Sequence, residues 1–175
     1  MNTSKKTHRM ATGAVIAALY VALTFAQEML LPGTTSAAIQ FRASEALMIL
    51  ALFTPAAIPG LTVGCVISNL LSIGTLPLDI VMGSGATLFA ALAMYKLRGV
   101  TFKTIPFAAL IMPALFNGVI IGLEIEIFFI EGAFRFTSFL IQAVFVALGE
   151  IGVLFTLGVL LYKLIKNKKL EKYLL

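Results

Sequence analysis

Charge is scarce in this chain. Only 12% of its 175 residues are charged, against about a quarter in an average soluble domain. Cys65 is the sole cysteine, so no intrachain disulfide and no cysteine-based metal site is available. It lies in an apolar run and reads as a small apolar helix residue. His8 is the sole histidine and belongs to a basic N-terminal tail, which leaves no Ser–His hydrolase to assemble. Asp79 is the sole aspartate, which excludes a paired-aspartate intramembrane protease. No G-x-x-x-x-G-K-[ST] loop occurs, so ATP is not hydrolysed by that route; Gly83-Ser84-Gly85 reads as helix packing. Without His or Cys clusters, neither a metal nor another cofactor is expected. An enzyme would need a nucleophile and base that the chain does not offer.

What is abundant is apolar surface. The hydrophobic fraction is 60% and the mean hydropathy +1.03. A soluble domain this small leaves too much of its surface exposed to hide that content. The net charge of +5 gathers in short clusters beside apolar runs rather than along a face, so nucleic-acid binding is not expected. Between charges lie runs at residues 10–27, 46–78, 80–95, 104–123 and 136–162, the last interrupted only by Glu150. A membrane helix needs about 20 residues. The basic clusters are Lys5, Lys6 and Arg9; Lys96, Arg98 and Lys103; and Lys163, Lys166, Lys168, Lys169 and Lys172. If all three lie inside, as the positive-inside rule requires, the 33-residue run 46–78 must cross twice. Its turn is expected at residues 54–60, where Pro55, Pro59 and Gly60 break the helix. The prediction is an all-α integral membrane protein, a single domain over 1–175. Its six transmembrane helices fall near 9–31, 42–54, 58–74, 78–96, 104–123 and 135–163, with both termini cytoplasmic. The short second span is expected to tilt or to rise out of the membrane. The first apolar run is too long for a signal-peptide core and no cleavage site follows it, so it is expected to stay.

Ionisable groups at membrane depth are expensive, about 2.5–3.5 kcal/mol on insertion scales, and each needs a reason. Here they gather toward the outer side: Gln40, Arg42 and Glu45 at the entry to the second span, Asp79 at the start of the fourth, and Glu124, Glu126 and Glu131 after the fifth. Asn69, Asn117 and Gln142 add uncharged polar groups in spans three, five and six. Asn117 and Glu124 are two helical turns apart and share a face. The pattern suggests a polar pocket near the outer surface, closed from inside by an apolar half. A plainer reading stands beside each residue. Arg42 and Glu45 suit a helix-end ion pair, Asn69 a bond to a neighbouring helix, and Asp79 a helix cap. Glu126 and Glu131 suit solvated loop charges, and Glu150 a neutral acid bonded to a helix. In the first span Ala14, Ala18 and Ala22 recur every four residues beside Gly13 and Ala17. Such a stripe packs helices closely, either within the protein or against another membrane subunit.

Two stretches carry a family likeness. One is Ile39-Gln40-Phe41-Arg42-Ala43-Ser44-Glu45-Ala46-Leu47, followed by Phe53-Thr54-Pro55-Ala56-Ala57-Ile58-Pro59-Gly60-Leu61 and Gly64-Cys65. The other is Asp79-Ile80-Val81-Met82-Gly83-Ser84 with Ala86-Thr87-Leu88. Together they resemble the queuosine-precursor transporter family, substrate-binding (S) components of energy-coupling factor transporters. The likeness runs from the first span through at least the fifth; Ala43 departs from it where a larger branched residue is usual. It implies six helices, an outward-facing solute site, and a first helix whose alanine stripe docks on a transmembrane coupling subunit driven by two cytoplasmic ATPases. The implied solute is a 7-deazaguanine: the cyano or aminomethyl precursor of queuosine, or queuine. On that implication Asp79 or Glu124 takes the donor edge of the base, and Gln40, Arg42, Asn117 and Gln142 supply the rest. Phenylalanines such as Phe41, Phe128 and Phe129 are available for stacking, and residues 32–41 form a lid hinged at Pro32 and Gly33. An S component for another vitamin or nucleobase, and a membrane scaffold with no solute, are the alternatives.

Overall fold

The computed structural model describes residues 3–34, 40–72, 77–102 and 105–174. The first helix, Thr3–Leu30, has 28 residues and so runs about 42 Å, longer than the roughly 30 Å of bilayer hydrocarbon. Its first turns, carrying the exposed Lys5, Lys6 and Arg9, project beyond the apolar segment. One face is small because a neighbour comes very close. A Cβ placed on Gly60 would stand 2.6 Å from the Gly13 carbonyl oxygen, and one on Gly64 would stand 2.8 Å from the Tyr20 Cβ. Both glycines belong to the third helix, Ala57–Leu71. Since Gly13 meets Gly60 and Tyr20 meets Gly64, the first and third helices run parallel.

The second helix, Ala43–Leu52, is wound as a 3-10 helix, and every residue from Ser44 to Leu52 is buried. Runs of this kind seldom exceed four residues. At about 2.0 Å per residue its ten residues cover about 20 Å, a third more than the same residues in an α-helix. The short segment therefore gains length by winding tighter. It sits at the centre of the bundle, wrapped by the other helices. Burial on all sides relieves it of matching the lipid thickness. The chain then turns at Phe53–Ala56, where the Ala56 N–H donates to the Thr54 hydroxyl at 3.3 Å. The turn is shorter than the expected 54–60. Pro59 and Gly60 lie inside the third helix, Pro59 in its first turn, where a missing N–H costs nothing.

The fourth helix is Pro77–Leu97, the fifth Phe107–Phe129 and the sixth Phe136–Asn167, with a short Glu171–Leu174 helix at the end. The fifth finishes in a π-helical turn, Ile125–Phe129, and the sixth contains another, Leu154–Gly158. A Cβ added to Gly118 or Gly122 of the fifth would stand 2.9 or 2.8 Å from the backbone of Ala143 in the sixth, a close antiparallel contact. The sixth runs alongside the second, with Gly158 against Ile49 and Tyr162 against Phe53, their rings 5.5 Å apart. Successive helices alternate in direction, so the N-terminus and the end of the sixth helix lie at the same end of the bundle. The basic clusters collect there, apart from Lys103, which lies outside the described residues. The first, fourth, fifth and sixth helices are long and apolar enough to cross a membrane; the second and third are shorter apolar helices. Large apolar side chains such as Val15, Leu19, Val81, Val144, Leu148 and Leu160 face outward, the surface expected of a bundle solvated by lipid.

The glycine contacts make a test. Gly60→Leu forces a side chain into the Gly13 backbone and is expected to cost about 1–3 kcal/mol. The buried Cys65 is the only thiol, so a thiol-reactive dye reports unfolding in detergent. Gly60→Leu should lower the temperature of dye labelling by several degrees. Gly85→Ala, with nothing within 4 Å of its Cβ position, should leave it unchanged.

Candidate functional site

Opposite the alanines, the first helix carries a polar face: Tyr20, Thr24 and Gln27, at i, i+4 and i+7, all buried. These three hold the start of the second helix. The Gln27 side-chain carbonyl accepts from the Ala43 N–H at 2.6 Å. Its amide donates to the Phe41 carbonyl and to the Thr34 hydroxyl, the latter at 2.9 Å. The Thr24 hydroxyl lies 2.9 Å from that of Ser44. The Tyr20 hydroxyl donates a short hydrogen bond to Glu45 Oε1.

From Glu45 the polar network crosses the bundle. The Arg42 guanidinium lies against the Tyr20 hydroxyl and reaches the Cys65 sulfur at 4.0 Å. The Asn69 amide contacts the same sulfur at 3.7 Å and donates to the Asp79 backbone carbonyl at 3.1 Å. Gly83 makes room for it: a Cβ there would stand 2.9 Å from the Asn69 nitrogen. Asp79 sits half-buried in the first turn of the fourth helix, and its side chain faces the Glu124 carboxyl. On the far side, the Asn117 amide donates to Glu150 Oε1 at 2.6 Å, and Glu150 lies within electrostatic reach of Glu45 and Arg42.

Three of these carboxyls are satisfied on one oxygen side only. Glu45 Oε2, Glu124 Oε1 and Glu150 Oε2 are sealed from solvent with no hydrogen-bond partner. Buried acceptors of this kind cost about 1–3 kcal/mol each and persist only where something else is gained. The Asp79 and Glu124 carboxyls bond each other, which places a proton on one of them; a carboxyl that is ionised accepts and does not donate, so the arrangement suits a solute rich in N–H groups.

Of the residues singled out from sequence, Arg42, Glu45, Asn69, Asp79, Asn117 and Glu124 join this network. Gln40 borders it through its backbone: its carbonyl packs directly on Gly149 of the sixth helix, where any Cβ would overlap it. Gln142 stands apart, in an open groove lined by Arg135, Thr137, Ser138 and Ile141. Among the described residues the direct ion pair is Lys166 with Glu171, at 2.9 Å; Arg42 and Glu45 do not form one, because Glu45 is turned to Tyr20. Glu126 is buried rather than solvated, and its Oε1 accepts from the Arg135 N–H at 2.9 Å, holding the start of the sixth helix. Glu131 is exposed. Phe41, Phe128 and Phe129 also face outward and do not line the network. In the expected lid, Gly33 takes a positive φ of 80° and its N–H donates to Glu28 Oε1 at 3.1 Å; residues 35–39 lie outside the described residues. Ala14, Ala18 and Ala22 are exposed, whereas Gly13 and Ala17 are consumed by the third helix.

Tyr20 and Glu150 are the functional-looking residues that the sequence pattern leaves outside the site. The i, i+4, i+7 spacing of Tyr20, Thr24 and Gln27 is the available signal for the first. For Glu150 the signal is its position as the lone acid of a long apolar run.

The family model described as "QueT transporter" matches residues 10–167 of the chain. A curated relative, the "Queuosine precursor transporter QueT" of Lactococcus lactis subsp. cremoris (strain MG1363), is 34% identical over 173 residues, covering 95% of this chain and 98% of the relative. No solved structure matches.

Gly149 offers a test of the geometry that is independent of any solute. Gly149→Ala must push Gln40, and Arg42 two residues on, away from the sixth helix, and should lower the temperature of Cys65 labelling. Gly152→Ala, whose Cβ would meet only the Phe41 ring at 3.8 Å, should be tolerated.

Proposed function

The chain belongs to the QueT transporter family, and we propose that it is the S component of an energy-coupling factor importer that captures a queuosine precursor. The observation that carries this reading is the set of buried carboxyls left half-satisfied between the helices. A 7-deazaguanine presents two N–H donors on its pyrimidine edge, which one carboxylate accepts together. Asp79 or Glu124 takes that edge. Arg42, Asn69 and Asn117 are within the same network to donate to the carbonyl of the base, and Glu45 stays anchored by Tyr20. Gln40 borders the network through its backbone, and Gln142 stands outside it in its own groove. The likeness to a relative named as a queuosine precursor transporter, nearly end to end, supports the choice of solute.

In this reading the chain is a multi-pass protein of the cell membrane, with the site facing outward and the basic end, with both termini, in the cytoplasm. It performs no chemistry. Uptake is driven by a transmembrane coupling subunit and two cytoplasmic ATPases, and the exposed Ala14, Ala18 and Ala22 form the docking stripe. Their exposure favours docking over packing within the chain, because the neighbouring small residues Gly13 and Ala17 already serve the internal contact.

Two measurements check this. Equilibrium binding of purified protein to a panel of 7-deazaguanines, guanine and vitamins should show sub-micromolar affinity for a deazaguanine and much weaker affinity for guanine. Asp79→Asn or Glu124→Gln should weaken it by at least tenfold, the loss expected for a charge-assisted pair; unchanged binding in both removes the carboxylate assignment. Tight binding to a vitamin instead would keep the transporter class and discard the solute. Ala18→Trp, on the docking stripe, should abolish uptake in cells carrying the coupling subunit while leaving solute affinity unchanged. Equal loss of both would place the stripe inside the fold instead.

A further inference from the structure

The deeper part of the network sets two carboxyls beside one guanidinium. Glu45 and Glu150 are 2% and 8% exposed. Each is oriented by one neutral donor, Tyr20 for Glu45 and Asn117 for Glu150, and each keeps its other oxygen buried and unpartnered. The two are close enough to feel each other's charge, and the cation near both is Arg42. Two carboxyls thus share one guanidinium. A buried carboxyl is ionised only beside a cation, so both can be charged only with a solute that adds one positive charge to that of Arg42 and offers at least two N–H donors. A metal cage is not what the residues build: among the described residues no group of three or more His, Cys, Asp or Glu side chains is placed to hold an ion.

We propose that Glu45 and Glu150 form an ammonium subsite that selects the 7-aminomethyl arm of the solute over the neutral 7-cyano group. The proposal rests on the reading that the chain binds a 7-deazaguanine. An aliphatic amine is charged at neutral pH and carries three donors, two for the free oxygens of Glu45 and Glu150. A nitrile carries no donor and would leave both oxygens as they are. The geometry places the two ends of the solute apart. Asn117, which orients Glu150, and Glu124, which faces Asp79, are seven residues apart on one face of the fifth helix, about 10 Å along its axis. The arm of the base leaves from its five-membered ring, away from the pyrimidine edge, so an edge held at Asp79 and Glu124 directs the arm toward Glu150. Tyr20 and Asn117 orient the two carboxyls in this scheme, Asn117 with one of its two N–H groups.

The test is equilibrium binding of the full chain in detergent to the 7-aminomethyl and 7-cyano compounds, with Cys65 protection as the folding control. The wild-type protein should bind the amine on the order of 10- to 100-fold more tightly, the value of a charge-assisted hydrogen bond. Glu150→Gln should remove that preference by weakening the amine while leaving the cyano compound within about threefold. Glu45→Gln should do the same, and decides the matter should Glu150→Gln fail to fold. Equal wild-type affinities, or tighter binding of the cyano compound, overturn the subsite while leaving the deazaguanine reading in place. A loss of both compounds in folded Glu150→Gln also overturns it, since the residue would then hold the base. Binding of neither compound to the wild type removes the deazaguanine reading and the subsite with it.

Discussion

A carboxylate at the centre of an apolar bundle has to be answered, and the answer to Glu45 organises this protein. The residue sits on a helix with no face to solvent or lipid, so its partner must come from another helix. Tyr20 supplies it, a side chain itself fully buried. For the hydroxyl to reach, the first and second helices must meet in one register, which Gln27 and Thr24 reinforce at the turns above. For Tyr20 to be covered, the third helix must press against it, and Gly64 is the reason it can. The close glycine contacts and the polar network are thus one construction. The glycines bring backbones together, and the approach seals the polar groups that then have to satisfy one another.

The first helix shows how a single rod divides its circumference. Its polar face turns to the second helix and its glycine and buried alanine to the third. A further row of alanines, Ala14, Ala18 and Ala22, faces neither. In lipid, small residues pack helices by letting backbones approach, since apolar side chains gain little by leaving lipid for protein. This row of small residues is spent on no contact among the described residues, which is what the proposed docking of another helix would need.

Much of this was legible in the sequence because membrane proteins are strongly constrained. Charge-free runs and the placement of Lys and Arg marked out six helices, and the parity of the basic clusters required the run 46–78 to turn back on itself. What escaped was local. Pro59 and Gly60 read as breakers, yet a proline in a first turn and a glycine at a helix contact belong inside a helix. The 3-10 winding of Ala43–Leu52 is imposed by its surroundings, since nothing in ASEALMILAL disfavours an α-helix. At the site, residues near the helix ends stood out because charge at a boundary is conspicuous. Tyr20 did not, because a tyrosine in an apolar run looks like core until its face is traced to Thr24 and Gln27. Gln142 was placed with the others on depth alone; depth does not fix azimuth, and its helix turns it into a separate groove.

The unpartnered oxygens of Glu45, Glu124 and Glu150 bear on how such a protein can bind tightly and still let go. Each lowers the stability of the unliganded bundle by leaving a buried acceptor unmet, and a donor-bearing solute returns that free energy on binding. On the proposed reading, affinity would come from relieving the protein as much as from contacting the solute, and ligand binding to the folded state would stabilise it by RT ln(1 + [L]/Kd). The same linkage runs backwards. On the same reading, a partner that shifted the second helix relative to the first would break the register of Tyr20 with Glu45 and so weaken the solute without touching it. The glycine seams between the first and third and the fifth and sixth helices leave the second held mainly by side chains and by the Gln40–Gly149 contact.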